Sequence, residues 1–157
     1  MSYMLMVFCR RPVVAITRQE IAQAIVEAVF FAETPKFDPP VGSEEARAPE
    51  WDTLVIRYSD AKRPVVLTRE GKVEGIDEDI EDDFDKRPLD PALLRQLVEA
   101  KQVFTLDVDQ ASLTDEAWEM CDWIEHHLAE RCDGLIYAPG DGIFDAKLQP
   151  LAKTAAT

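Results

Sequence analysis

Four short runs rich in β-branched and aromatic residues, separated by capped helical segments, leave this chain few ways to fold. Tyr3 to Cys9 is an apolar run closed by "RRP", which suits a buried strand. A helix follows it. Thr17 and Glu20 form a T-x-x-E capping box, and Ile21, Ala24, Ile25, Ala28 and Ala32 recur as one apolar stripe. Thr53 to Tyr58 and Pro64 to Thr68 read as a hairpin around the polar connection "SDAKR". Asp90 and Pro91 supply an N-cap and a first-turn proline for a helix through Leu94, Leu97 and Val98, and Val103 to Val108 is β-rich.

The order β-α-β-β-α-β predicts an α+β fold of ferredoxin-like arrangement: an antiparallel sheet with its helices on one face. One more unit extends it at the C-terminal end. Thr114 caps a helix, Leu113 and Trp118 occupy the positions of a hydrophobic staple, and Gly134 stands where a helix C-terminus usually places glycine. "LIYA", the turn "PGDG" and "IFD" then form a β-hairpin. A chain of 157 residues is long enough for one domain with a real core, so residues 1–150 are expected to be a single domain. Within it, residues 34–51 hold four of the ten prolines and no hydrophobic period, which predicts a long Pro-rich loop at a binding surface. Residues 151–157 are expected to fray.

Charge narrows the function. Seventeen basic residues against 31 acidic ones give a net charge of −14, which disfavours any partner bound by neutralising phosphates. Nucleic acid and anionic membranes are thus set aside, and a basic protein partner is favoured, since an acidic surface speeds encounter with one. Cys9, Cys121 and Cys132 are odd in number and unpatterned in spacing, as in a protein of a reducing compartment. The N-terminal run has its arginines after the apolar residues and reads as a strand rather than a signal peptide, so a cytoplasmic location is expected.

The charge concentrates in "EGIDEDIEDDFD", Glu74 to Asp85, with eight carboxylates in twelve positions. A calcium loop counted from Asp77 would need glycine sixth and glutamate twelfth, where the chain has Asp82 and Pro88. Read as a helix over residues 74–87, the same run puts Ile76, Ile80 and Phe84 on one face and Glu78, Glu81, Asp82 and Asp85 on the other. Acids would crowd its start, with Lys86 and Arg87 in its last turn before Pro88. Glu78, Asp79, Glu81, Asp82 and Asp85, together with Trp51 at the end of the Pro-rich segment, are the expected partner-binding residues.

Other motifs carry no chemistry. "CDWIEHHLAERC" brings two histidines and two cysteines together, but on a helical wheel Cys121, Ile124, Leu128 and Cys132 share the apolar stripe with Ala117, so no metal is expected. Asp107 and Asp109 form a strand-end D-x-D, read as two solvent-facing aspartates. No dinucleotide, phosphate-loop, serine-hydrolase or zinc-protease signature occurs, and no catalytic residue or cofactor is assigned. The expected function is a non-catalytic, acidic protein-binding domain, most concretely an inhibitor or immunity protein that neutralises a basic effector or toxin enzyme. The alternative is a small ligand-binding or enzymatic domain with a pocket between the sheet and the Pro-rich loop, where Trp51, Tyr58 and Trp123 are candidate lining residues.

Overall fold

The computed structural model describes residues 2–11 and 15–154. In chain order the elements are β1 (Ser2–Phe8), α1 (Arg18–Ala28), β2 (Lys36–Asp38), α2 (Glu44–Arg47), β3 (Thr53–Arg57), β4 (Val65–Glu70), α3 (Ile76–Asp83), α4 (Pro91–Val98), β5 (Val103–Asp109), α5 (Asp115–Cys132), β6 (Leu135–Ala138), β7 (Gly142–Phe144) and β8 (Pro150–Lys153). The fold is α+β, with an open antiparallel sheet of order β2-β3-β4-β5-β1-β6-β7-β8 among the described residues. No helix among them is long and apolar enough to cross a membrane.

That strand order is not ferredoxin-like. Such a fold sets its first strand beside its third, whereas here β5 stands between β4 and β1. Two helices, α3 in the acidic run and α4, stand between β4 and β5 in the chain, and β5 pairs with β4 directly.

The chain divides into two compact units. The first comprises Met1–Tyr3, Ala15–Arg69 and Thr105–Ile124. The Thr17 hydroxyl accepts from Glu20 N at 3.1 Å and starts α1, which buries Ile21, Ala22 and Ile25. The expected stripe stops short, because Val29 turns left-handed (φ 54°) and ends the helix, leaving Ala28 and Ala32 exposed. β3 and β4 form the expected hairpin, with Thr53 opposite Thr68 and Ile56 opposite Val65. The Pro-rich segment is not one long loop. Phe37 is buried opposite Ile56 as β2 adds to the β3 edge, and Ser43 caps the short helix α2 by accepting from Ala46 N.

The second unit comprises Met4–Val14, Glu70–Phe104 and Glu125–Thr157. Its core packs Ile76, Ile80 and Phe84 of the acidic segment with Phe8, Leu97, Val103, Leu135, Tyr137 and Ile143. The Asp90 carboxylate accepts from Ala92 N and starts α4 as expected, and β6 pairs with β7 through the expected hairpin. Two corrections arise here. Residues 151–153, expected to fray, join Pro150 in β8 on the outer edge of β7, because this ladder is made by the backbone and asks little of the side chains. Gly142 admits it: a Cβ there would run into the Ala152 carbonyl oxygen. Beyond it, Thr154 Oγ1 donates to the Gly140 carbonyl oxygen at 2.6 Å, while residues 155–157 lie outside the described part. Gly134 is not the left-handed residue that ends α5. Asp133 takes that conformation (φ 50°), and Gly134 N donates to Ala129 O at 2.8 Å.

Candidate functional site

The most concentrated unneutralised charge lies on α3. The helix begins after Gly75, whose φ of 74° suits the turn into it, and no side chain caps it. Asp77, Glu78 and Asp79 in the first turn instead meet the positive end of the helix dipole. The buried face is as expected, with Ile80 and Phe84 exposed by only 0% and 2%. The end is not: α3 stops at Asp83 with Phe84 as its C-cap, and Lys86 and Arg87 fall outside the helix. Glu81 and Asp82 therefore stand near the negative end of the dipole with no basic residue in the last turn.

Asp83 explains this ending. Its Oδ2 accepts from the Tyr137 hydroxyl and from Gly140 N, both at 2.9 Å, so the last residue of α3 is pinned to the β6–β7 hairpin. The helical period could have marked it, since Asp83 follows Ile76 by seven residues and so shares its face. The other carboxylates from Asp77 onward, Asp77, Glu78, Asp79, Glu81, Asp82 and Asp85, are exposed, and none is in an ion pair among the described residues. The expected residues Glu78, Asp79, Glu81, Asp82 and Asp85 thus gather on one short, anchored segment.

Trp51, the other expected partner-binding residue, belongs to the first unit and is 5% exposed, so little of its ring is open to a partner. Its indole N–H donates to the Ile16 carbonyl oxygen at 2.7 Å, and the Arg18 and Arg69 guanidinium carbons lie 6.0 and 4.9 Å from the ring centre. Arg18 also donates to the carbonyls of Thr53 and Glu45, and Arg69 to those of Trp51 and Pro49. Trp51 is the post around which the end of the Pro-rich segment is fastened.

A groove of about 710 Å³ lies in the same unit, between α1 and the β2 segment. Val26, Phe37, Pro40 and Val41 give it an apolar lining, and Gln23, Glu27 and Lys36 add polar groups. Gln19 braces it, with its side-chain oxygen accepting from Gly42 N at 2.6 Å. The aromatics expected at such a pocket are elsewhere: Tyr58 stacks on Phe31 at 5.5 Å, and Trp123 lies 6.2 Å from Phe30.

The strand-end aspartates go to separate partners. Asp107 pairs with Arg63 at 2.7 Å, and Asp109 accepts from the Ser112 hydroxyl at 2.6 Å, a bond that holds its carboxyl below the usual range. Cys121, Ile124, Leu128 and Cys132 are all buried on α5 with Ala117. His126 lies 3.4 Å from Glu130, and no three His, Cys, Asp or Glu side chains converge to hold a metal ion among the described residues. The chain matches no family model, no curated protein and no solved structure.

Proposed function

We propose that this protein is a non-catalytic binding domain that engages a basic protein through α3, as an inhibitor or immunity protein engages a cationic effector enzyme. The observation that supports this is the set of five unpaired carboxylates on a helix anchored by Phe84 below and Asp83 at its end, with Asp85 just beyond it. Like charges at three- and four-residue spacing, and acids near a helix C-terminus, each cost a few tenths of a kcal/mol. A surface that served only solubility would spread them. Held together on a fixed support, they make a local field that a basic partner can relieve, which favours fast encounter and tight pairing.

Replacing Glu78, Glu81, Asp82 and Asp85 together by Gln tests this. The fold should remain, with equal or slightly higher stability as repulsion falls. Association with the basic protein captured at low salt should slow by about tenfold or more, the lower end of electrostatic steering, and lose most of its salt dependence. Stopped-flow rates at two salt concentrations measure it. An unchanged low-salt rate would leave α3 as a solvated face and end the proposal.

The groove beside α1 supports a second reading, a small-ligand site, because its size falls in the usual range for ligand pockets and its lining is mainly apolar with a few polar groups. A metabolite that fills it should raise the melting temperature, by an amount set by its concentration over Kd. The shift should vanish in Val26→Asp. A thermal-shift screen without any such compound would count against this second reading.

A further inference from the structure

Two of the three cysteines meet. Cys9 follows β1 and Cys132 ends α5, and both are buried. The β1–β6 ladder pairs Val7 with Ile136 and Phe8 with Leu135, so one further step sets Cys9 opposite Gly134. A Cβ built on Gly134 would lie 2.9 Å from Cys132 Sγ and 2.9 Å from Val7 Cγ1, which shows that the Cys132 sulfur fills the space over this glycine, against β1. Arg11 N donates to the Cys132 carbonyl oxygen at 3.2 Å and ties the chain just past Cys9 to the end of α5. Cys121 is no rival for Cys132, being eleven residues earlier on the same helix, about 16 Å along its axis.

Cys9 also lines a cavity of about 250 Å³, whose wall includes Arg10, Arg11, Lys101, Gln96 and Glu99. Arg10 is fixed there: its Nε donates to the Asp133 carbonyl oxygen at 2.7 Å and its Nη2 to the Asp133 carboxylate at 2.9 Å. In a chain of net charge −14, and with Arg10 paired to Asp133, Arg11 and Lys101 against Glu99 leave this opening with a local positive excess that favours an anionic visitor.

We propose that Cys9 and Cys132 form a reversible disulfide, made by exchange with a small anionic disulfide of the glutathione type admitted through this cavity. Cys9 gives up its proton and attacks one sulfur of the small disulfide, forming a mixed disulfide and releasing one small thiolate, which takes up the proton. Cys132 then attacks the Cys9 sulfur, closing the protein disulfide and releasing the second small thiol in the same way. Two protein thiols are oxidised and one small disulfide is reduced. The neighbouring Cys132 thiol and burial raise the Cys9 pKa, so Cys9 rests protonated and exchange depends on delivery of the oxidant.

Incubating the full chain with glutathione disulfide tests the proposal by intact mass, non-reducing peptide mapping and melting temperature. The expected product has lost two hydrogens and carries a single Cys9–Cys132 link. It melts higher and returns to the starting form with dithiothreitol, while Cys121 stays alkylatable after unfolding. In Cys132→Ala the reaction should stop at a glutathione adduct on Cys9. Arg11→Gln combined with Lys101→Gln should slow the reaction with glutathione disulfide several-fold but leave that with neutral hydroxyethyl disulfide unchanged. Absence of any cross-link in the unaltered protein, or one through Cys121, would overturn the pairing. Equal rates for the double variant and the parent with glutathione disulfide would overturn the anionic entry route.

Discussion

Phe84→Ala lowers the stability of the folded protein by about 3–5 kcal/mol, the range for removing a large, well-buried aromatic ring. Phe84 is 2% exposed, and its ring packs in a cluster with Phe8, Leu97, Leu135, Tyr137 and Ile143, residues supplied by strands and a helix far apart in sequence. The loss has two parts: the transfer energy of the ring and the cavity left beneath α3, which a backbone fixed by the Phe84 N to Ile80 O bond and by Asp83 cannot close. Denaturant unfolding measures it as a lower midpoint at unchanged slope. A loss under about 1 kcal/mol would mean that the site collapses freely and that α3 is not anchored as described. The effect belongs to the buried face alone, so the four-Gln variant on the opposite face should not share it.

Gly134→Ala costs about 1–3 kcal/mol, the usual price of one extra group in a packed interior. The added methyl carbon would stand 2.9 Å from both Cys132 Sγ and Val7 Cγ1 and 3.2 Å from the Ala129 Cα. The two side-chain atoms can shift a little. The Ala129 backbone, inside α5, cannot move without displacing the helix end that Gly134 N itself caps by donating to Ala129 O. Gly71→Ala is the control, since a Cβ there meets only the Lys101 carbonyl oxygen at an ordinary 3.8 Å. Thermal unfolding of the pair measures the difference. Equal stability of the two variants would show that the sulfur is not seated over Gly134, which would also remove a support of the proposed disulfide.

What could be read from the chain alone was local. The caps at Thr17, Asp90 and Thr114 hold because each needs only a backbone N–H two or three residues away. The same holds for the β3–β4 and β6–β7 hairpins and for the four-residue recurrence of Ile76, Ile80 and Phe84, which are set by neighbours along the chain. The exposed acids of α3 follow from that recurrence.

Tertiary structure decided whatever depended on a partner distant in sequence. Lys36–Asp38 and Pro150–Lys153 have no strand pattern of their own. They became β2 and β8 because β3 and β7 present open backbone edges, and a ladder of N–H and C=O groups pairs with little regard to side chains. Trp51 looked available until Arg18, Arg69 and the Ile16 carbonyl took up its ring and its N–H. Glycine at 134 suggested a left-handed cap, yet the need there is for space beside Cys132. The sheet order also lay beyond the local pattern: two helices separate β4 from β5 in the chain, and β5 pairs with β4, standing between it and β1.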